Sequence, residues 1–318
     1  MSANGASRFC HLCGKPLGRQ HVRYQHGLAV CTHCQRTQPR CARCGVPLPP
    51  AAAGSAQPGA ERLCATCERE APRCACCGAA ITQHWFAFDD LLPATTARRY
   101  CAACVTARPR CDICHAPVPA GATVLADGQY RCDECAREMV LEPRAVRATY
   151  AEAVTRTRDA AGIALASVPA LHVVGRRAMG RLRRRMAPAD DATSGARHVL
   201  GLFVREREAS AVYVEIGLPR PLLLGTLAHE LAHAWQSETA APERDLLLRE
   251  GFAEWVAHQV LISAGQREVA VRATRRDDTY GRGLRHFLTL ERTSGRAAVL
   301  AAGRAAATPA GSRAPGGV

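Results

Sequence analysis

The sequence predicts an α+β chain in two parts. An N-terminal array of four small cysteine-rich units covers residues 1–140, a small α+β domain covers 141–303, and 304–318 read as a disordered tail. Three observations predict this. Sixteen of the 17 cysteines form eight C-x2-C pairs, all before residue 136. Beyond them the pattern changes to β-branched runs and helix-length apolar segments. One of those segments contains His229-Glu230-Leu231-Ala232-His233.

The pairs are Cys10/Cys13, Cys31/Cys34, Cys41/Cys44, Cys64/Cys67, Cys74/Cys77, Cys101/Cys104, Cys111/Cys114 and Cys132/Cys135. Long gaps of 17, 19, 23 and 17 residues alternate with three short gaps of 6. Pro39-Arg40-Cys41, Pro72-Arg73-Cys74 and Pro109-Arg110-Cys111 open the second, third and fourth units, so the pattern is an internal repeat. Two thiolates on one tight knuckle, joined across a hairpin to a second knuckle, complete a tetrahedral four-sulfur zinc site. A unit of about 30 residues cannot bury enough core to fold alone, and a metal supplies the difference. The N-terminus carries no apolar signal-type stretch, which places the chain in a reducing, cytoplasmic compartment and argues against disulfides. Sequential units are the favoured pairing, with cross-braced ligation as the alternative. Cys76 reads as a spare turn residue or a substitute for Cys77, and His33 as a surface residue. Knuckle, hairpin and knuckle at a helix start is a treble-clef or LIM-like layout.

The formal net charge of +14 invites a nucleic-acid reading. Residues 1–140 hold 16 basic and 10 acidic residues, and four thiolate sites at −2 each bring the array to about −2. Near-neutral fingers with few aromatics make nucleic acid an unlikely partner. No run is apolar enough to span a membrane.

In the second part, Glu142 to about Ala166 reads as a helix and Leu171 to Gly175 as a strand. Arg176, Arg177, Arg181, Arg183, Arg184 and Arg185 read as a solvated face or loop, with an acidic partner or RNA as the sharper alternative. Ala187 to Arg197 reads as a loop. Val199 to Arg205 and Ala211 to Ile216 suggest an antiparallel pair, the latter presenting an edge to an extended peptide. Helices follow at Pro221 to Glu238, Glu243 to Ile262 and Asp278 to Ala302.

In H-E-x-x-H the two histidines share a helix face, so His229 and His233 can reach one Zn²⁺, with Glu230 placed to take a proton from its water. A catalytic zinc needs a third ligand and an open position. Glu250, with 16 residues between it and His233 and across a short turn, fills that role; Glu254, one turn on, is the carboxylate that orients a ligating histidine. The bland alternative is a surface Glu pair on an amphipathic helix. His172, His198 and His258 read as ordinary structural or surface residues.

The run from His229 to Trp235, followed by Glu250-Gly251-Phe252-Ala253-Glu254-Trp255, resembles the gluzincin peptidases. Taken with Gly217-Leu218-Pro219 and Tyr280-Gly281-Arg282-Gly283-Leu284, it is similar to the LIM-domain zinc peptidases known from plants as limiters of organ growth. Those also carry LIM-type modules before the peptidase domain. The resemblance covers about 199–290 in sequence and is architectural over 1–140. It implies a small gluzincin domain, intracellular endopeptidase activity on protein substrates, and in plants regulation by ubiquitin. No acidic ubiquitin-interacting helix and no G-x-M-E-N signature stand in this sequence. The expected cofactor is zinc, one ion catalytic and about four structural. Tyr280, or else His286, is the expected oxyanion donor. The finger array then serves substrate or partner binding. A non-catalytic zinc-finger scaffold and a nucleic-acid-binding zinc-finger protein are the competing readings.

Overall fold

The computed structural model describes residues 8–24, 27–49, 62–88, 98–186, 199–206, 209–239 and 245–305. The chain is mixed α and β with small sheets and forms two compact units. Unit 1 comprises Met1–Ala87 and Ala97–Arg108; unit 2 comprises Phe88–Thr96 and Pro109–Val318. The four cysteine-rich units are thus divided, three in the first and the fourth in the second. The loop expected at 187–197, His198 and the tail beyond 305 lie outside the described residues.

In unit 1 the first finger contains strands β1 (His21–Arg23) and β2 (Ala29–Cys31), paired antiparallel, and helix α1 (Thr32–Thr37). The second contributes α2 (Ala65–Glu70). The third has β3 (Trp85–Phe86), β4 (Tyr100–Cys101) and α3 (Ala102–Ala107). Each first knuckle repeats one geometry. The N–H groups of Cys10, Cys41 and Cys74 donate to Lys15, Val46 and Ala79, and those of Gly14, Gly45 and Gly78 donate back to the cysteine carbonyls. That turn needs a left-handed residue, and the glycines sit at φ 69°, 70° and 73°. His115 takes the same place in the fourth finger at φ 61°.

The repeated Pro-Arg lead has a structural reason. Arg40 donates to the carbonyl of Gln35 on α1 and to that of Gly45 in its own knuckle. Arg73 likewise donates to the carbonyl of Glu68 on α2. The arginine therefore ties the second finger to α1 and the third to α2. Cores are tiny: Cys10, Val30 and Cys34 in the first finger, and Cys41, Val46, Leu48 and Cys67 in the second.

In unit 2 the fourth finger has β5 (Thr123–Val124), β6 (Tyr130–Arg131) and α4 (Asp133–Arg137). Then come α5 (Pro143–Ala161), β7 (Ala170–Val174), α6 (Arg176–Met186), β8 (Gly201–Glu206), β9 (Ala209–Glu215), α7 (Arg220–Thr239), α8 (Leu246–Ser263), α9 (Arg267–Ala273) and α10 (Thr279–Ala305). α5 stops at Gly162, left-handed at φ 75°, rather than running to 166. α10 breaks at Gly295, φ 80° and ψ 170°. The arginine-rich segment is a helix, α6, because Met179 is buried and Leu182 turns inward on the same side.

The sheet order is β7-β9-β8, with β7 parallel and β8 antiparallel to β9. The expected edge at Ala211 to Ile216 is therefore wrong: β9 is the central strand, paired on both sides, and among the described residues β8 is an edge. The core gathers around Phe252, whose ring lies 5.3 Å from Trp235, 5.9 Å from Trp255 and 5.8 Å from Phe287.

The fourth finger is built into this unit. Fully buried Arg131 donates to the carbonyl of Gly217 (3.3 Å) and to Gln129 Oε1 (3.0 Å). Val140 N–H donates to Leu218 O and Arg220 N–H to Glu138 O, so the start of α7 hangs on the end of the finger. Asp112 pairs with Arg176, and Asp127 Oδ2 accepts the Arg176 N–H at the head of α6. Among the described residues, no helix is long and apolar enough to cross a membrane.

Candidate metal centres

The sixteen paired cysteines form four clusters that could hold a metal ion: Cys10, Cys13, Cys31 and Cys34; Cys41, Cys44, Cys64 and Cys67; Cys74, Cys77, Cys101 and Cys104; Cys111, Cys114, Cys132 and Cys135. The grouping is sequential, as the spacing favoured, and Cys76 stands outside it. The Sγ–Sγ separations Cys13–Cys31, Cys44–Cys64, Cys77–Cys101 and Cys114–Cys132 are 3.9, 3.8, 3.9 and 3.6 Å. A disulfide would require about 2.05 Å. Tetrahedral Zn–S bonds of about 2.3 Å place sulfurs about 3.75 Å apart, so the clusters fit zinc. Burial pushes the Cys10, Cys41 and Cys74 thiols up, but backbone N–H groups of the two knuckles more than offset this and bring each to about 6. One thiolate in each of these clusters is thereby favoured before any ion arrives, while burial and the neighbouring sulfurs push Cys34 up to about 12 and raise Cys67 and Cys104 as well.

The fifth cluster is His229, His233 and Glu250. α7 is buried along most of its length, and His229, His233 and Gln236 are the polar side chains by which it meets α8, at Glu250 and the Arg249 carbonyl. α8 is capped by Asp245, whose side chain accepts the Leu247 N–H. Glu250 is 5% exposed on an apolar helix, which disposes of the surface-pair alternative for it. His229 Nε2 lies 3.2 Å from Glu250 Oε2, His233 Nε2 lies 3.4 Å from the same oxygen, and the two Nε2 atoms are 3.1 Å apart. Tetrahedral Zn–N and Zn–O bonds of about 2.05 Å imply separations near 3.35 Å, so this donor set also fits zinc.

The position of Glu250 depends on a close crossing of helices. A Cβ on Gly251 would stand 2.6 Å from Gly283 Cα, and one on Gly283 would stand 2.5 Å from Gly251 Cα. Backbone meets backbone there, directly beside Glu250.

Groups around the cluster fix its orientation. Glu254 Oε1 stands 3.6 Å from His229 Nδ1, beyond hydrogen-bond length, and 3.4 Å from Arg276. His233 Nδ1 is 2.9 Å from Gln236 Oε1, which leaves Nε2 facing the cluster. Arg249 donates twice to Glu250 Oε1, at 2.8 and 3.0 Å, so Oε2 is the oxygen turned to the imidazoles. Gln236 and Arg249 escaped the sequence reading; their only signals were a position one turn beyond His233 and one next to Glu250. Burial pushes His229 down, but Glu250, Glu254 and Glu230 more than offset it and hold it up at about 9. Burial alone would raise Glu250, and the two imidazoles instead pull it well below the carboxylate range.

Glu230 is 6% exposed, and its Oε2 accepts the Phe203 N–H of β8 at 2.7 Å. Its carboxylate needs Gly201: a Cβ there would stand 2.8 Å from Glu230 Oε1. Burial raises the Glu230 carboxyl above its usual range. Tyr280 opens α10 with its ring 6.1 Å from that of His229 and Arg276 stacked 4.9 Å over it. Burial, reinforced by Glu250 and Glu254, pushes its hydroxyl up to about 12, so it keeps its proton. His286 is exposed and meets Phe287 edge-on, away from the cluster contacts described above. His172 stacks on Tyr213, and His258 is held down by burial within α8.

The chain matches no family model, no curated protein and no solved structure in the three comparisons.

Proposed function

We propose that the chain is a zinc-dependent endopeptidase of gluzincin type, acting on protein substrates, with its cysteine clusters holding structural zinc. One observation carries the reading. Two imidazoles and a carboxylate converge on one point, and a buried second carboxylate, Glu230, lies beside them against an edge strand. A zinc ion held by His229, His233 and Glu250 would polarise a scissile carbonyl and make a nearby water acidic. Glu230, its carboxyl raised by burial, takes the proton of that water and returns it to the leaving amine. Tyr280 keeps its proton and can donate to the developing oxyanion.

Alternate residues of an edge strand turn their backbone groups outward. The Phe203 N–H bond to Glu230 marks Gly201, Phe203 and Arg205 as the outward set of β8. With the Phe203 N–H given to Glu230, an extended substrate would pair with other backbone groups of that set and so pass the cluster.

The test is metal content together with cleavage of an unfolded protein. The wild type is expected to hold five zincs and cleave. Glu230→Gln is expected to hold five and not cleave. Cleavage at the wild-type rate by that variant would remove Glu230 from the mechanism and the peptidase reading with it. A five-zinc wild type that cleaves nothing would favour the binding-scaffold reading.

A further inference from the structure

α6 carries six arginines and no acidic residue. Arg176 is paired with Asp112. Arg177, Arg181, Arg184 and Arg185 are exposed, and no ion pair reaches any of them among the described residues. Their spacing is i, i+4, i+7 and i+8, which places all four on one helix face over about 12 Å. Like charges at i, i+4 repel, so Arg177 with Arg181, and Arg181 with Arg185, weaken the isolated helix. Their arrangement costs stability and gains nothing within the described fold. Only the last turn, near the helix C-terminus, has a compensating dipole.

We propose that this face of α6 is a docking surface for an acidic protein segment. A guanidinium fork binds carboxylates in pairs, which suits a run of Asp and Glu side chains. Position favours a protein: the helix that carries the stripe packs against β8 and β9, and β8 is the strand offered above to an extended substrate. The proposal thus rests on the peptidase reading for its purpose, since it names acidic proteins as the substrate class, but not for its binding. Two other anionic partners fit less well. A membrane would need the apolar side of the helix, and Met179 on that side is buried in the fold. A nucleic acid would need more than a 12 Å stripe, and no aromatic residue of α6 offers a base a stacking surface.

The experiment uses the full chain as Glu230→Gln, so that nothing is cleaved, and as the same chain with Arg177, Arg181, Arg184 and Arg185 all changed to Gln. Probes are a fluorescent ten-residue peptide of glutamates, its glutamine counterpart and a ten-nucleotide oligouridylate, followed by anisotropy at two salt concentrations. The glutamate peptide is expected to bind, more weakly as salt rises, and to lose on the order of tenfold in affinity in the quadruple variant, about twofold per exposed pair. Circular dichroism with an unchanged melting point shows that the variant is folded. If a difference in melting appears, Arg181→Gln alone, expected to lose about twofold, takes its place. Equal binding of glutamate and glutamine peptides overturns the proposal. So does a preference for oligouridylate, or equal affinity in both chains. Binding without any cleavage by the wild type would leave the surface standing and sink the peptidase reading instead.

Discussion

Gly251→Ala is the sharpest perturbation available, because it acts on Glu250 through the backbone alone. The added Cβ would stand 2.6 Å from Gly283 Cα and 2.7 Å from Gly283 C. Carbon contacts settle at about 3.5 Å or more, so α8 and α10 must part by roughly 1 Å. Overpacking of that kind costs about 1–3 kcal/mol, against a helix-propensity gain of about 1 kcal/mol from replacing glycine. The net loss of up to about 2 kcal/mol lowers the melting temperature of a unit this size by up to about 8 °C. A shift of roughly 1 Å is also half a zinc–oxygen bond, so affinity at the His229–His233–Glu250 cluster falls on the order of 10–100-fold. The assay is a zinc competition titration with a chromophoric chelator, paired with thermal unfolding. Gly180→Ala in α6 is the control: its Cβ meets only the Arg184 side chain, at 3.5 Å, and should stabilise by up to about 1 kcal/mol. If Gly251→Ala behaves like Gly180→Ala and binds zinc like the wild type, the glycine crossing does not position Glu250.

Three further outcomes are expected. Gln236→Leu removes the acceptor at His233 Nδ1, and zinc affinity at that cluster should drop roughly 10–100-fold while the four thiolate sites stay full by metal analysis. Arg131→Met leaves the Gly217 carbonyl and Gln129 without their buried donor; a loss of about 3 kcal/mol should appear as a fall of about 6–12 °C in the melting of unit 2. Asp127→Asn weakens the hold on Gln129 and on the head of α6. Burial raises the Asp127 carboxyl, but the Gln129 and Arg176 N–H groups more than offset this, so its folded value lies below the unfolded one. Its stabilisation is complete above the unfolded value and is lost as pH falls through the folded one. In urea, a gap of about 1 kcal/mol between wild type and variant at pH 7 should narrow below about pH 5.

What the sequence revealed and what it hid divide along physical lines. C-x2-C spacing is local geometry, so the four clusters and their order could be read directly. H-E-x-x-H and the Glu250/Glu254 pair follow from helical periodicity in the same way. Gln236 and Arg249 could not be found like that, because their partners depend on how α7 and α8 dock. β9 was taken for an edge because a strand's neighbours are set by pairing with β7, 41 residues away in the Leu171–Val212 register, not by its own alternation. α6 was read as a solvated face or loop because six charges masked its inward pair, Met179 and Leu182. His115 hid the fourth knuckle's left-handed turn, which glycine announces in the other three.

The graft between the fourth finger and the head of α7 would couple the two clusters thermodynamically once both hold ions. Glu138 and Val140, three and five residues past Cys135, hold Arg220 and Leu218 at the start of the helix that carries His229 and His233. An ion in the fourth thiolate cluster would therefore steady the frame of the histidine cluster, and linkage would make the help mutual: each occupied site would raise the affinity of the other by the same factor. A chelator titrated into the protein should strip these two ions in concert.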